Sequence, residues 1–211
     1  MRYDNYKYIY PPRPSNSIPV EDLDFWDNNS LLCQLKFNGS NCSIYTNGSK
    51  VITMNRHNQR LTNFQLSDNE IKEIYHGKGE WMMINGEYLN KNKSDENGES
   101  FNHKLIIFDI IVLNNDHLIG KTFSERVSML DDLYGKSSSD KEYLYGVSKN
   151  VYRVKSFENG FKELYDKYSS IDMIEGLVMK RKNAKLEMGL REENNNRSQI
   201  KCRKVTKNYK F

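Results

Sequence analysis

An α+β fold built mainly from antiparallel strands is predicted by three features of the 211-residue sequence. Short β-prone runs are joined by Asn-Gly turns, which favour tight hairpins. Two Ser/Thr-x-x-Glu capping boxes each open a segment of helical apolar spacing that a glycine closes. Further strand-like runs follow the helical segments, so strands and helices come in groups and not in strict βαβ alternation.

The first 30 residues read as an extended, irregular arm. Pro11, Pro12, Pro14 and Pro19 fix φ and remove backbone donors there, which disfavours a helix or a central strand. From residue 31 onward a single domain is expected. Leu31–Lys36, Cys42–Thr46 and Lys50–Met54 are short strands separated by Asn38-Gly39-Ser40 and Asn47-Gly48-Ser49. The box Ser67-Asp68-Asn69-Glu70 starts a short helix with Ile71, Ile74 and Tyr75 on one face, ending at Gly77.

Glu80–Leu89 and Lys104–Leu113 read as two more strands, with Asn90–Asn102 between them as a polar, mobile loop. Thr122-Phe123-Ser124-Glu125 opens a second helix carrying Val127, Leu130 and Leu133, stopped by Gly135. Ser137–Lys141 is a loop and Tyr152–Lys155 a strand. Phe157, Phe161, Leu164, Tyr165 and Tyr168 follow the spacing of a third helix face. Gly176–Lys182 and Gln199–Arg203 are the late strands, separated by a charged, Asn-rich loop.

Composition narrows the function classes. Lys and Arg total 32 against 28 Asp and Glu, a net charge of +4 that carries little information as a total. Basic residues crowd the last third: Lys180, Arg181, Lys182, Lys185, Lys201, Arg203, Lys204, Lys207 and Lys210. Such clustering attracts phosphate, although a charge run alone is more often a solvated face. The most apolar run, Leu105–Leu113, contains Asp109 and falls far short of the ~20 residues of a membrane span. Met1–Tyr10 has no apolar signal region, and Cys33, Cys42 and Cys202 are too scattered for a disulfide framework. A cytoplasmic protein follows as the expectation.

Five segments carry the chemistry. Lys36-Phe37-Asn38-Gly39 sets a lysine at a strand end before a tight turn; alone, it is a common surface arrangement. Glu87 lies on a strand after Asn85-Gly86. Phe108 and Asp109 are adjacent in an apolar strand, so they face opposite sides unless the strand bulges. Glu175-Gly176 and Lys180 span one strand, and Lys201 and Arg203 share one strand face.

In this order and spread, the set resembles the nucleotidyltransferase motifs of covalent ATP-dependent polynucleotide ligases and mRNA capping enzymes. Lys36–Gly39 is similar to the nucleophile motif Lys-x-Asp/Asn/His-Gly. Glu87 matches the next carboxylate motif, and Phe108-Asp109 the Phe-Asp motif. Glu175-Gly176 with Lys180 resembles Glu-Gly-hydrophobic-hydrophobic-x-Lys, and Lys201 and Arg203 the closing Lys-x-Lys with arginine in the second place. The match runs from Leu31 to Arg203.

The resemblance implies an adenylation domain of two mainly antiparallel sheets flanked by helices, with an ATP cleft between them. It implies that the Lys36 amine attacks the α-phosphate of ATP, forms lysyl-AMP and releases pyrophosphate. AMP then passes to a 5′-phosphate and a 3′-hydroxyl displaces it. A protonated lysine is a poor nucleophile, and neighbouring cations with partial burial supply free amine. Lys180, Lys201 and Arg203 would do this while offsetting charge on the α-phosphate, which makes them both catalytic and nucleotide-binding. Glu175 and Asp109 are the expected carboxylates for Mg²⁺, or Mn²⁺, held largely through water. Glu87 would bond the ribose and Phe108 would stack on adenine. Gln34, Leu35, Asn41 and Arg56 complete the expected nucleotide-binding set.

Lys36-Phe37-Asn38-Gly39-Ser40-Asn41 and Ile200-Lys201-Cys202-Arg203 lean toward phage RNA ligases of the second type, whereas the proline-rich start also resembles small phage DNA ligases. The host cytoplasm is the compartment that a phage enzyme implies. The expected partner is nucleic acid: a nicked duplex, or RNA ends with a 5′-phosphate and a 3′-hydroxyl. Ligases of this kind usually carry an OB-fold or helical domain after the last motif. None is expected within residues 31–211, so a minimal ligase, an adenylation module or a separate protein supplying that domain are all implied. Two rival readings remain. One is a non-catalytic nucleic-acid-binding module of the same fold, and the other is a GTP-using capping guanylyltransferase. His57, His76, His103 and His117 have no assigned role.

Overall fold

The computed structural model describes residues 2–191 and 196–205. The C-terminal lysines 207 and 210, expected as part of a basic phosphate-contacting segment, lie outside the described residues.

The described chain forms eleven strands and four α-helices. They follow in the order β1 (Asn16–Ile18), α1 (Leu23–Trp26), β2 (Leu31–Phe37), β3 (Ser40–Thr46), β4 (Val51–Met54), α2 (Asp68–Glu73), β5 (Met82–Leu89) and β6 (Lys104–Leu113). Then come β7 (Asp116–His117), α3 (Phe123–Tyr134), β8 (Leu144–Ser148), β9 (Val151–Val154), α4 (Phe161–Tyr168), β10 (Ile174–Arg181) and β11 (Gln199–Arg203). No helix among the described residues is long and apolar enough to cross a membrane.

Two sheets result. The smaller has the order β1-β11-β10-β2, and the larger runs β4-β3-β5-β6-β9-β8 with β7 on β6. Pairing is antiparallel except for β1 with β11 and β6 with β9. The turn at Asn38-Gly39 joins β2 to β3 without pairing them, so it is not the hairpin its sequence favours; it carries the chain from the small sheet to the large one. A β-carbon on Gly39 would lie 2.5 Å from the Tyr88 carbonyl oxygen, so this crossing requires glycine.

Two apolar cores follow the strand alternation. One packs Ile44, Met83, Ile107 and Ile110 of the large sheet with Ile71 of α2 and Leu130 of α3. The other packs Cys33, Leu35, Phe37, Leu177, Met179, Ile200 and Cys202 of the small sheet with Leu23 of α1, Phe161 of α4, and Ile106 and Val154 of the large sheet. Odd-numbered positions of β2 and β10, and even-numbered positions of β11, thus face a core. Their alternates face the other way. Both capping boxes form as the sequence predicts. The Ser67 and Thr122 hydroxyls accept from the Glu70 and Glu125 amides, and each glutamate returns to its cap.

Four local expectations change. The proline-rich start is extended, but β1 joins the small sheet as an edge strand and α1 follows it. The third helix begins at Phe161, not near Phe157. Phe157 instead exchanges two 2.8 Å backbone hydrogen bonds with Cys33, and Gly160 turns the chain at φ 74°. Leu144–Ser148 is a strand that was not anticipated. The 90–102 segment is a tied-down turn, because Asp95 accepts from the Asn97 and Glu99 amides and from the buried Lys141 ammonium at 2.8 Å.

Candidate active site

The alternation on the small sheet gathers the predicted cations on one face. Lys36 and Arg203 are both register partners of Gly176 on β10. Gln34 and Lys201 are both partners of Val178, and Lys180 pairs with Gln199. Apart from Gly176, these residues line one cleft of about 680 Å³. The opposite wall comes from the large sheet and its hairpin: Asn41, Arg56, Glu87 and Phe108. Leu35 also lines the cleft, although its side chain belongs to the core beneath.

A local irregularity delivers Glu175. The register jumps between Ile174 and Gly176, so Glu175 is an extra residue in β10 beside Lys36. Gly176 has φ 139°, and a β-carbon there would lie 2.0 Å from the Cys202 carbonyl oxygen. Only glycine fits, which is why the carboxylate is followed by it. The bulge brings Glu175 Oε2 into direct contact with Lys36 Nζ, while Oε1 lies 3.3 Å from Arg203 Nε. Both ion pairs are largely buried, with side chains 17–18% exposed.

Glu87 sits across the cleft and accepts from the Gly39 amide at 3.1 Å. Burial pushes its carboxyl up to about 7; Lys36 opposes that shift and Glu175 adds to it. Lys180 is 4% exposed, and its ammonium lies 4.7 Å from the centre of the Phe108 ring. Desolvation pushes it down to about 8, with Asp109 partly offsetting this. Lys201 donates to the Pro14 and Ser15 carbonyls at 3.4 Å. Burial, then the charges of Arg203 and Lys36, holds it below the usual lysine range. Arg56 donates to its neighbour His57 at 3.0 Å, and both line the cleft. Asn41 and Gln34 are engaged with Asn85 and Ser156, respectively.

One expected residue is not in the cleft. Asp109 is 2% exposed and points away from Phe108, as strand alternation requires. Its two oxygens take Arg126 Nε at 2.8 Å and Nη2 at 3.0 Å. It is a buried ion-pair partner, not an open metal ligand. No cluster of three or more metal-type side chains occurs among the described residues. The cleft carboxylates are therefore Glu87 and Glu175, facing Arg13, Lys36, Arg56, Lys180, Lys201 and Arg203. This excess of cations suits a polyphosphate.

Sequence reasoning missed the wall formed by Pro11–Ser15 and the buried Gln199. The proline run was visible, but nothing local says that an extended arm folds back over a sheet. Gln199 could have been found from its parity with Lys201 and Arg203.

Comparison with known proteins places the fold in a family. Residues 17–197 match the family model described as the ATP dependent DNA ligase domain. No curated protein sequence matches the chain. Among solved structures, the chain is similar to mycobacterial DNA ligase D complexed with ATP and MES, at TM-score 0.56 and 12% identity over 82% of this chain and 54% of that one. It is also similar to a Lig E DNA ligase, described as DNA binding with a minimal scaffold, at TM-score 0.54 and 15% identity over 95% and 70%. An archaeal ATP-dependent RNA ligase matches at TM-score 0.52 and 14% identity over 91% and 47%. The chain spans about half the length of the solved structures it matches first. With 181 of its residues inside the matched range, the chain belongs to the ATP-dependent DNA ligase domain family.

Proposed function

We propose that the protein is an ATP-dependent polynucleotide ligase that works through a lysyl-AMP on Lys36. The observation that carries this reading is the contact between Lys36 and Glu175 on a cleft floor shared with Arg203, Lys201 and Lys180. Glu175 accepts the proton of the Lys36 ammonium. The freed lone pair attacks the α-phosphorus of ATP, a P–N bond forms, and the bond to the bridging oxygen breaks to release pyrophosphate. Lys201 and Arg203 offset charge on the phosphate oxygens as the bond changes. Phe108 offers a ring face for adenine, and Glu87 takes the ribose.

Glu175, the cleft carboxylate not given to the ribose, suits a hard cation that prefers oxygen and would hold Mg²⁺ through water. Such an ion supplies charge neutralisation at the phosphates. In the second step a 5′-phosphate oxygen of nucleic acid attacks the AMP phosphorus and frees Lys36. In the third, a 3′-hydroxyl attacks the activated 5′-phosphate and AMP leaves.

The family model favours DNA as substrate, while Lys36–Asn41 and Ile200–Arg203 keep RNA open. A sealing assay on nicked duplexes that differ only in 2′-hydroxyls beside the nick separates the two. ATP-dependent sealing of either duplex is expected. Salt-sensitive binding of the nick with no AMP transfer would overturn the reading in favour of a binding module. Transfer of GMP in place of AMP would favour a capping enzyme.

A further inference from the structure

The buried ammonium of Lys180 contacts two rings. Its Nζ lies 4.7 Å from the centre of Phe108 and 4.6 Å from the centre of Phe123. Phe108 lines the cleft and is the expected base platform. Phe123 has no part in the reading above. It is 2% exposed and is the first residue of α3. The helix start holds it rigidly: the Thr122–Glu125 capping box closes on one side, and the Phe123 amide donates to the Ala184 carbonyl at 2.9 Å.

The Phe123 ring is itself braced. The Arg126 guanidinium lies 5.5 Å from its centre and is fixed by both oxygens of Asp109 and by the Lys121 carbonyl. Asp109 and Phe108 are neighbours in β6 and diverge to the two ends of this assembly. One supports the back ring through Arg126, and the other is the front ring.

A lysine stem has four rotatable bonds, so a buried ammonium needs partners to stay in one place. Among the described residues, the rings of Phe108 and Phe123 both meet the Lys180 ammonium. A ring face attracts a cation through its quadrupole, and more strongly when water is excluded. We propose that Phe123 is a positioning residue that clamps the Lys180 ammonium behind the Phe108 base platform, at the depth from which it meets the α-phosphate. The role given to Lys180 rests on the ligase reading, whereas the clamp itself does not.

The test has one arm for each. Protons held over aromatic rings move upfield, so ¹H–¹³C spectra of the lysine-labelled protein should show an upfield ε-methylene pair. Lys180→Met should remove that pair. Phe123→Leu keeps an apolar side chain but loses the ring, and the signal should return toward the position of free lysine. Phe123→Tyr should retain the shift. In single-turnover adenylation, Phe123→Leu should lower kcat roughly tenfold, the scale of one desolvated cation–π contact, while leaving KM for ATP nearly unchanged. Phe123→Tyr should restore most of the rate.

No ring-shifted lysine signal in the wild-type protein overturns the clamp even if the variants fail to fold. Full activity of Phe123→Leu also overturns it. A ring-shifted signal in a protein that never forms lysyl-AMP supports the clamp and removes the ligase reading.

Discussion

Lys36 and Arg203 are register partners of the same residue, Gly176, from strands on opposite sides of β10. The Glu175 carboxylate beside that glycine touches both cations. The proposed nucleophile, its proposed proton acceptor and a neighbouring cation are thus set by one irregular position in one strand. The consequences can be measured.

Gly176→Ala places a methyl group against the Cys202 carbonyl at a φ that side chains avoid. We expect a loss of about 3 kcal/mol, from backbone strain and displacement of β11. At roughly 2–4 °C per kcal/mol for a domain of this size, Tm should fall by about 6–12 °C. Adenylation should fall further than stability does, because Glu175 and Arg203 lose register together. Thermal melts beside single-turnover rates check this. An unchanged melting curve would contradict the bulge geometry.

Lys180 sets a pH signature. Between about pH 8 and 10.5 the unfolded chain keeps a proton that the folded chain has released. Stability should therefore rise with pH across that window. Below it, burial of the charge costs about 3 kcal/mol. Lys180→Met should be more stable than wild type near pH 7 and inactive in adenylation. If the charged form works, the wild-type rate should fall as pH rises through about 8. Urea melts of both proteins and the pH–rate profile of the wild type test this.

Glu87 contributes with the opposite slope. Its carboxyl is held up to about 7, so the folded chain keeps a proton that the unfolded one gives up above the ordinary glutamate range. Its contribution to stability is present below that range and is lost as pH rises through about 7. Glu87→Gln should flatten that part of the stability profile, measured by urea melts from pH 4 to pH 8.

Asp109→Asn leaves a buried arginine without its anion. A cost of about 3–5 kcal/mol is expected in denaturant unfolding. The Mg²⁺ concentration for half-maximal adenylation should not move in whatever fraction remains folded. Glu175→Gln, in contrast, should slow adenylation and raise the Mg²⁺ requirement. A metal-dependence shift in Asp109→Asn without destabilisation would return Asp109 to the metal site.

Much of this was legible because period-two alternation is local. The parity of Gln34 and Lys36, and of Lys201 and Arg203, told which side chains share a face, and the capping boxes told where α2 and α3 begin. Phe108 and Asp109 could be seen to diverge. What could not be read was where Asp109 goes, because its partner Arg126 lies on α3 and the pairing depends on how that helix packs against β6. The arm over the cleft was hidden for the same reason: Lys201 grips the Pro14 and Ser15 carbonyls only after β1 has joined β11. The exchange of bonds between Phe157 and Cys33 overrode an apolar spacing that, taken alone, suits a helix.

The most direct test of the central claim is covalent labelling at Lys36. The purified protein is incubated with α-labelled ATP and Mg²⁺, digested, and the labelled peptide identified by mass spectrometry. The account predicts one AMP on the peptide containing Lys36, released as ATP when pyrophosphate is added, and no label in Lys36→Ala. A protein that takes no label, or a Lys36→Ala variant that labels as well as wild type, would contradict it.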